Sequence, residues 1–412
     1  MLNSGGGTII SVTMTGGNVG NGGRIGNLTY FAGMYVGETR YREGDGEWET
    51  FIGTIDTLTV NGSSTGADNF GTGFINSGTI DNATLNSGRL DSYGTITNAT
   101  VNGGTLMNFN ISGSSGSATI DNTAINDGTL FNHSTIGNAT VNGGSLNSDG
   151  TIIEATLKGG ILRNMGTVTE ATASAGWLIN YDVGAINHLK MYGGDVSSAG
   201  RIDRLEYVSG SYEGSYGGTI GTLTVAGDLY ASNDWGIVEN LKFAEDGSGT
   251  LIFTGYISTP ITPAFAPMNF MATNAALIPE ILFNSFQVGS VDLTYGNILF
   301  DLSGIMGFSG EDLLASLFAD GFSLASLFGT DDIQGMEALT SFGVNWGEGN
   351  LWILEEGKFT DGWSFSGDRL VYSSDNGGGD PSNTPEPATL LMLGLGAIGA
   401  GLAARRKMRN VK

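Results

Sequence analysis

Apolar residues recur along this chain with a fixed period. Ile80, Ile96, Ile120, Ile136, Ile152 and Val168 follow one another at 16 residues, apart from one 24-residue step that holds an insertion near Ser112 to Gly116. Ile186, Ile202, Ile220 and Val238 continue the series at 16 or 18. Upstream, Ile9, Ile25 and Ile55 belong to it, the last after a charged insertion around Glu38 to Glu49. About thirteen copies precede residue 250, and a regular period of this length signals stacked structural repeats.

The pattern inside one copy predicts strands. Large side chains at Ile80, Leu85 and Leu90 are each preceded two residues earlier by a small one, Gly78, Ala83 and Gly88. A small-x-large step is strand periodicity, because alternate side chains share a face. Three short strands per copy follow. One 16-residue copy cannot bury three large side chains by itself, whereas copies stacked at the ~4.8 Å strand spacing place each residue over its counterpart. The expected fold is therefore mainly β: a three-sided parallel β-solenoid over residues 1–250, roughly 60 Å long at that spacing.

Single columns support the stack. Leu90, Leu106, Leu130, Leu146, Leu162 and Leu178 occupy one position, and Gly88, Gly104, Gly128, Gly144, Gly160, Gly176 and Gly194 another, where a corner with positive φ is expected. Asn86, Asn102, Asn126 and Asn142 form a column whose amides can hydrogen-bond along the axis, and Thr84, Thr100, Thr140, Thr156 and Thr172 an outward ladder. Further along, Ala139, Ala155 and Ala171 give way to Leu189, Leu205 and Leu223, which predicts a wider core. In the same region Asn82, Asn98, Asn122 and Asn138 are succeeded by Glu154, Glu170, His188 and Arg204, with Lys190 facing Glu206. That strip reads as opposite charges pairing on a solvated sheet, ahead of a binding surface.

Near Leu251 the period stops, and residues 251–372 read as a small mixed α/β unit that caps the stack. Pro260, Pro263 and Pro267 mark an irregular entry. Ser309-Gly310-Glu311-Asp312 predicts a helix to about Ala319, and a second short helix is expected near Ser323 to Phe328. Leu351 to Leu354, Trp363 to Phe365 and Arg369 to Tyr372 read as an antiparallel meander. Residues 373–384 have the composition of a flexible linker.

Composition narrows the function. With 69 Gly but 7 Pro and no Gly-X-Y triplet the chain is not collagenous, and with no Cys it has neither disulfides nor thiolate zinc sites. A net charge of −24 excludes the phosphate neutralisation that nucleic-acid binding requires. The two histidines, His133 and His188, are isolated, no phosphate-binding glycine loop ends in Lys-Ser or Lys-Thr, and the rungs lack the recurring Asp of calcium-binding β-rolls. No catalytic residue, cofactor or metal site is expected. Asp331-Asp332, Glu355-Glu356 and the pair Asp375 and Asp380 read as solvated acidic loops rather than Ca²⁺ ligands. Asn82, Asn98 and Asn138 match the glycosylation acceptor pattern, which the column itself explains. Trp346, Trp352 and Trp363 are candidates to stack on sugar rings, and more often such residues pack in a core.

The tail carries a compound pattern. Pro385-Glu386-Pro387 precedes the apolar run 388–404, which is read as a membrane helix, and Arg405-Arg406-Lys407 follows as its cytoplasmic stop. Residues 385–412 resemble the PEP-CTERM sorting signal of Gram-negative bacteria. The resemblance implies recognition of Pro385, Glu386 and Pro387 by an exosortase-like enzyme, cleavage in that region, transient inner-membrane anchoring by 388–404, and delivery to the cell surface or an exopolysaccharide matrix. Substrates of that system carry an N-terminal secretion signal, and residues from Met1 onward show neither a basic stretch nor an apolar run of that kind. The 16-residue rungs are similar, in architecture, to the β-helical passengers of autotransporter adhesins. The expected function is an exported structural or adhesive protein. The alternative is a β-helical enzyme or binding module acting on matrix polysaccharide, which would need carboxylates or bases converging on one face.

Overall fold

The computed structural model describes residues 2–3, 7–36, 38–42, 48–62, 74–109, 118–214, 217–257, 281–283, 286–305, 322–345, 350–360, 363–366 and 369–372. The chain divides into two compact units, residues 1–222 with 234–237, and residues 223–233 with 238–412.

Between Thr79 and Ser198 each rung contributes one longer and one four-residue strand, as in Thr95–Val101 and Thr105–Asn108, whereas Thr8–Asn21 and Arg24–Val36 each run as one strand. Every rung pairs in parallel with the next: Ile80 lies beside Ile96, Ala83 beside Ala99, Leu85 beside Val101. The 24-residue step leaves the register untouched, since Ile96 pairs with Ile120 and Val101 with Ile125. The longer strand is bent. Ile96 and Ala99 both point inward, with Thr97 and Asn98 consecutively outward, so alternation breaks once and the strand turns a corner. A second corner follows at Gly103-Gly104 and a third at Tyr93-Gly94, which gives three faces per rung. Inside, columns headed by Ile80, Ala83, Leu85 and Leu90 are buried in rung after rung, the dry core that a single rung could not make.

Two corners explain their residues. The column from Gly88 to Gly194 holds φ between 61° and 87°, a left-handed region that L side chains enter at a cost of about 1–2 kcal/mol. At the other corner a Cβ on Gly94, Gly150 or Gly166 would run into the carbonyl of Gly78, Ser134 or Gly150 in the preceding rung. From Leu189 and Leu205 onward larger side chains fill the core, with Met191, Tyr207 and Tyr212 buried in the equivalent rungs. There Tyr212 stacks on Trp235 at 4.7 Å between ring centroids, and Tyr207 meets the same indole edge-on at 5.4 Å.

In the second unit parallel pairing carries on past the point where the sequence period ends. Leu251 pairs with Ile298, and Ile298 with Phe342, at chain steps of 47 and 44 residues (298 − 251 and 342 − 298). The intervening segments hide the period while the register survives. Aromatic rings replace the aliphatic columns: Phe253 and Phe300 lie 5.6 Å apart, Phe300 and Phe342 5.2 Å. The free edge of Ser341–Asn345 is covered antiparallel by Asn350–Glu355, which pairs in turn with Lys358–Phe359. The expected meander is thus split. Trp363–Ser366 pairs instead with Arg369–Tyr372, and that strand with Phe322–Ser323. The helix near Ser323 is present as Leu324–Phe328, with the Ser323 hydroxyl accepting from the Ser326 amide at 3.4 Å. The helix expected from Ser309, the entry with Pro260, Pro263 and Pro267, and the linker 373–384 lie outside the described residues.

One expectation is corrected. Among the described residues no helix is long and apolar enough to cross a membrane, the α-helix Leu324–Phe328 having five residues. The run 388–404 lies outside the described residues. Its sequence shows why it is a poor span: as a helix it would reach about 26 Å against a hydrocarbon core of ~30 Å. The transmembrane helix, the membrane as a partner, and inner-membrane anchoring through that segment are withdrawn together.

Candidate functional site

The solvent face of the first unit is built from ladders. On one column Asn98 donates to Asn82 at 3.1 Å, Asn122 to Asn98 at 3.2 Å and Asn138 to Asn122 at 3.0 Å. At the adjoining corner Asn102, Asn126 and Asn142 donate to Asn86, Asn102 and Asn126 at 2.8–2.9 Å, the axial amide bonding expected of that column. Thr84, Thr100, Thr140, Thr156 and Thr172 are half-buried between them. Within each column the amides donate to and accept from one another, so much of this surface's hydrogen bonding is met along the axis.

The charged columns mix opposite and like neighbours. His188 Nδ1 lies 2.8 Å from Glu170 Oε2, and register places Glu154 beside Glu170, Arg204 beside His188 and Glu206 beside Lys190. His133 Nδ1 is 2.8 Å from Asp149 Oδ1. Near the N-terminal rungs Arg24 holds Asp56 through three bonds, Nε to Oδ1 at 2.9 Å and to Oδ2 at 3.1 Å and Nη2 to Oδ2 at 2.7 Å, in an open depression that Asp81 also lines. The Arg24 hydrogen bond keeps the Asp56 carboxyl below the usual carboxylate range. Among the described residues no three of His, Asp and Glu come together as a metal ion would require. Asp331 and Asp332 are exposed, Asp332 accepting from the Gln334 amide, and Glu355 and Glu356 sit at a tight hairpin with Glu356 and Gly357 at φ 50° and 70°. Asp375 and Asp380 lie outside the described residues.

Trp352 is half-buried against Gly343, whose missing side chain makes room for its ring, and Trp363 lies in the other sheet of the second unit. Trp346 lies outside the described residues.

Pro385, Glu386, Pro387, Arg405, Arg406 and Lys407 lie outside the described residues too, and here family comparison is decisive. Residues 383–407 match the model of the PEP-CTERM protein-sorting motif. The chain carries that motif. No curated protein and no solved structure matches the chain. The PEP-CTERM motif therefore stands on a β-solenoid-like repeat fold.

Two features escaped the sequence reading. Asn76, Ser92, Asn108, Asn132, Ser148, Asn164, Asn180 and Ser198 form a fully buried polar ladder at the third corner. Asn76 donates to Ser92 at 3.1 Å, Asn108 to Asn132 at 2.9 Å, Asn132 to Ser148 at 3.0 Å and Asn164 to Asn180 at 2.8 Å. The Oδ1 atoms of Asn76, Asn132 and Asn164 accept from the backbone amide two residues on, closing the corner. The recurring Asn/Ser-x-Gly triplet was its available signal. Outside the same corner, Tyr93, Phe109 and His133 stack at 5.1 and 5.3 Å with interplanar angles of 14° and 11°.

Proposed function

We propose that this protein is an exported structural element of the cell surface or extracellular matrix, sorted through its PEP-CTERM motif by an exosortase-type enzyme. The single observation that carries the structural role is the self-satisfied surface. The Asn ladders and the His188–Glu170, His133–Asp149 and Arg24–Asp56 pairs spend their hydrogen bonds within the solenoid, which suits a rigid spacer. A matrix-polysaccharide enzyme would place several unmatched carboxylates in one groove, whereas Glu170, Asp149 and Asp56 each have a basic partner. The protein acts by geometry rather than by chemistry on a substrate.

Mass spectrometry of the native protein from separated cell fractions tests the sorting. Extracellular material whose C-terminus falls near Pro385, with accumulation of the unprocessed chain in a Pro385→Ala/Glu386→Ala variant, is the expected result. Full-length protein ending at Lys412 in every fraction would overturn it.

A further inference from the structure

The face that carries the Asn82 ladder leaves some of its asparagines with a donor to spare. Asn27, Asn82, Asn98 and Asn138 occupy one outward column, each followed two residues on by a threonine, Thr29, Thr84, Thr100 and Thr140. Residues two apart on a strand share a face, so each exposed amide stands beside a half-buried hydroxyl, while the residue between them, Leu28, Ala83, Ala99 or Ala139, is buried. The Asn-x-Thr acceptor pattern is thereby held open to solvent. Stacking accounts for the asparagines, and hydrogen bonding sorts them. An amide nitrogen carries two donors. Asn98 spends both, on Asn82 Oδ1 at 3.1 Å and on the Asp81 carbonyl at 3.4 Å. Asn82 starts the ladder, with Thr57 before it, and among the described residues donates once, to the Asp56 carbonyl at 3.3 Å. Asn138 closes the ladder, with Glu154 after it, and likewise donates once, to Asn122 Oδ1 at 3.0 Å. Asn27 has no hydrogen-bond partner among the described residues. Of the other asparagines that head such a triplet, Asn132 is fully buried, and the triplets starting at Asn61 and Asn110 run into residues outside the described ones.

We infer that Asn27, Asn82 and Asn138 are sites of N-linked glycosylation, with a diphosphate-activated sugar as the donor. The bond between Nδ2 and the anomeric carbon forms as the bond from that carbon to the diphosphate oxygen breaks. The diphosphate leaves with the electron pair and one Nδ2 proton passes to base, so no oxidant or reductant is needed. A glycosylated amide keeps one N–H, and the ladder therefore survives: Asn82 still reaches the Asp56 carbonyl and Asn138 still reaches Asn122. At Asn98 a sugar displaces one of two existing bonds, and Asn98 stands one rung, about 4.8 Å, from Asn82, where two glycans compete for space. The three chosen sites are better separated. Two rungs, about 10 Å, lie between Asn27 and Asn82, and three rungs, about 14 Å, between Asn82 and Asn138. Asn122 is an internal control: it is exposed in the same column, but Thr123 after it points inward and Ala124 takes the outward place of the hydroxyl.

Glycopeptide mass spectrometry of the full chain purified from its own cells tests this. Sugar-bearing peptides are expected at Asn27, Asn82 and Asn138, with Asn98 occupied several-fold less and Asn122 bare. Thr84→Val keeps a β-branched side chain on the strand and should abolish the sugar at Asn82 alone, and Thr84→Ser should restore it, a rescue that a folding defect would not show. Thr140→Val and Thr140→Ser give the same pair of readings at Asn138. A single sugar per site identifies a nucleotide-linked donor and a preassembled oligosaccharide a lipid-linked one, and either supports the inference. Bare Asn27, Asn82 and Asn138 overturn it, as does occupancy of Asn98 equal to that of Asn82, or a sugar at Asn82 that persists in Thr84→Val. The same spectra read the C-terminus, so a chain ending near Pro385 with all three asparagines bare sinks this inference and leaves the sorting reading standing.

Discussion

Replacing Asn132 by Ala tests whether the buried polar ladder, rather than the apolar columns alone, holds the third corner. Asn132 is fully buried. It donates to Ser148 Oγ at 3.0 Å and to the carbonyls of Ser134 and Thr151 at 3.3 Å, and it accepts from Asn108 Nδ2 at 2.9 Å and from the Ser134 amide at 3.3 Å. Some losses are absorbed: Asn108 Nδ2 keeps the Thr135 carbonyl, and the Ser134 carbonyl keeps the Thr151 amide. The Ser134 amide and the Ser148 hydroxyl are not so covered by Asn132's replacement. An orphaned buried donor costs about 1–3 kcal/mol and each lost net hydrogen bond about 0.5–1.5, so a total of roughly 3–5 kcal/mol is expected. Asn142→Ala is the control, removing an exposed amide that water replaces, for ~0.5 kcal/mol or less. Repeat arrays can open rung by rung. The assay is therefore urea denaturation combined with hydrogen exchange of the amides in Thr135–Val141 and Thr151–Leu157. Faster exchange should centre on those rungs in Asn132→Ala alone. Equal effects of the two substitutions would refute the reasoning.

Gly144→Ala forces a side chain onto φ 61° and against the carbonyl of Gly128, and should cost about 2–3 kcal/mol, read from the thermal unfolding midpoint. Ile136→Ala opens a cavity between Ile120 and Ile152 and should cost ~2–5 kcal/mol, whereas the neighbouring outward Thr140→Ala should stay within about 0.5 kcal/mol, both by denaturant titration. NMR titration should find the Asp56 carboxyl below the ordinary ~3.9, returning to it in Arg24→Ala. Because the folded value is depressed, the pair's contribution is complete above the ordinary carboxylate pKa and is lost as pH falls through the depressed value. Added salt should shrink the difference, since both groups are solvent-exposed.

The solenoid is legible in the chain alone, because a 16-residue period in Ile, Ala, Leu and Gly buries its large side chains when copies stack in register. Equally legible are the corner at Gly88 to Gly194, where backbone sterics leave glycine as the cheap residue, and the sorting motif, whose residues are contiguous. Which way a side chain faces emerges only in the folded chain. Asn102 and Asn132 look alike in sequence, yet one is exposed at a corner and the other buried in a ladder, because strand parity and the bend at Thr97-Asn98 assign each to a side. The fold also makes parallel pairing resume at Asn297 and Ser341, a contact whose spacing in the chain carries no period. The split of Leu351 to Leu354 from Trp363 to Phe365 has the same origin: strand partners are chosen by the free edge within reach, and that edge belongs to Ser341–Asn345, which local sequence does not encode.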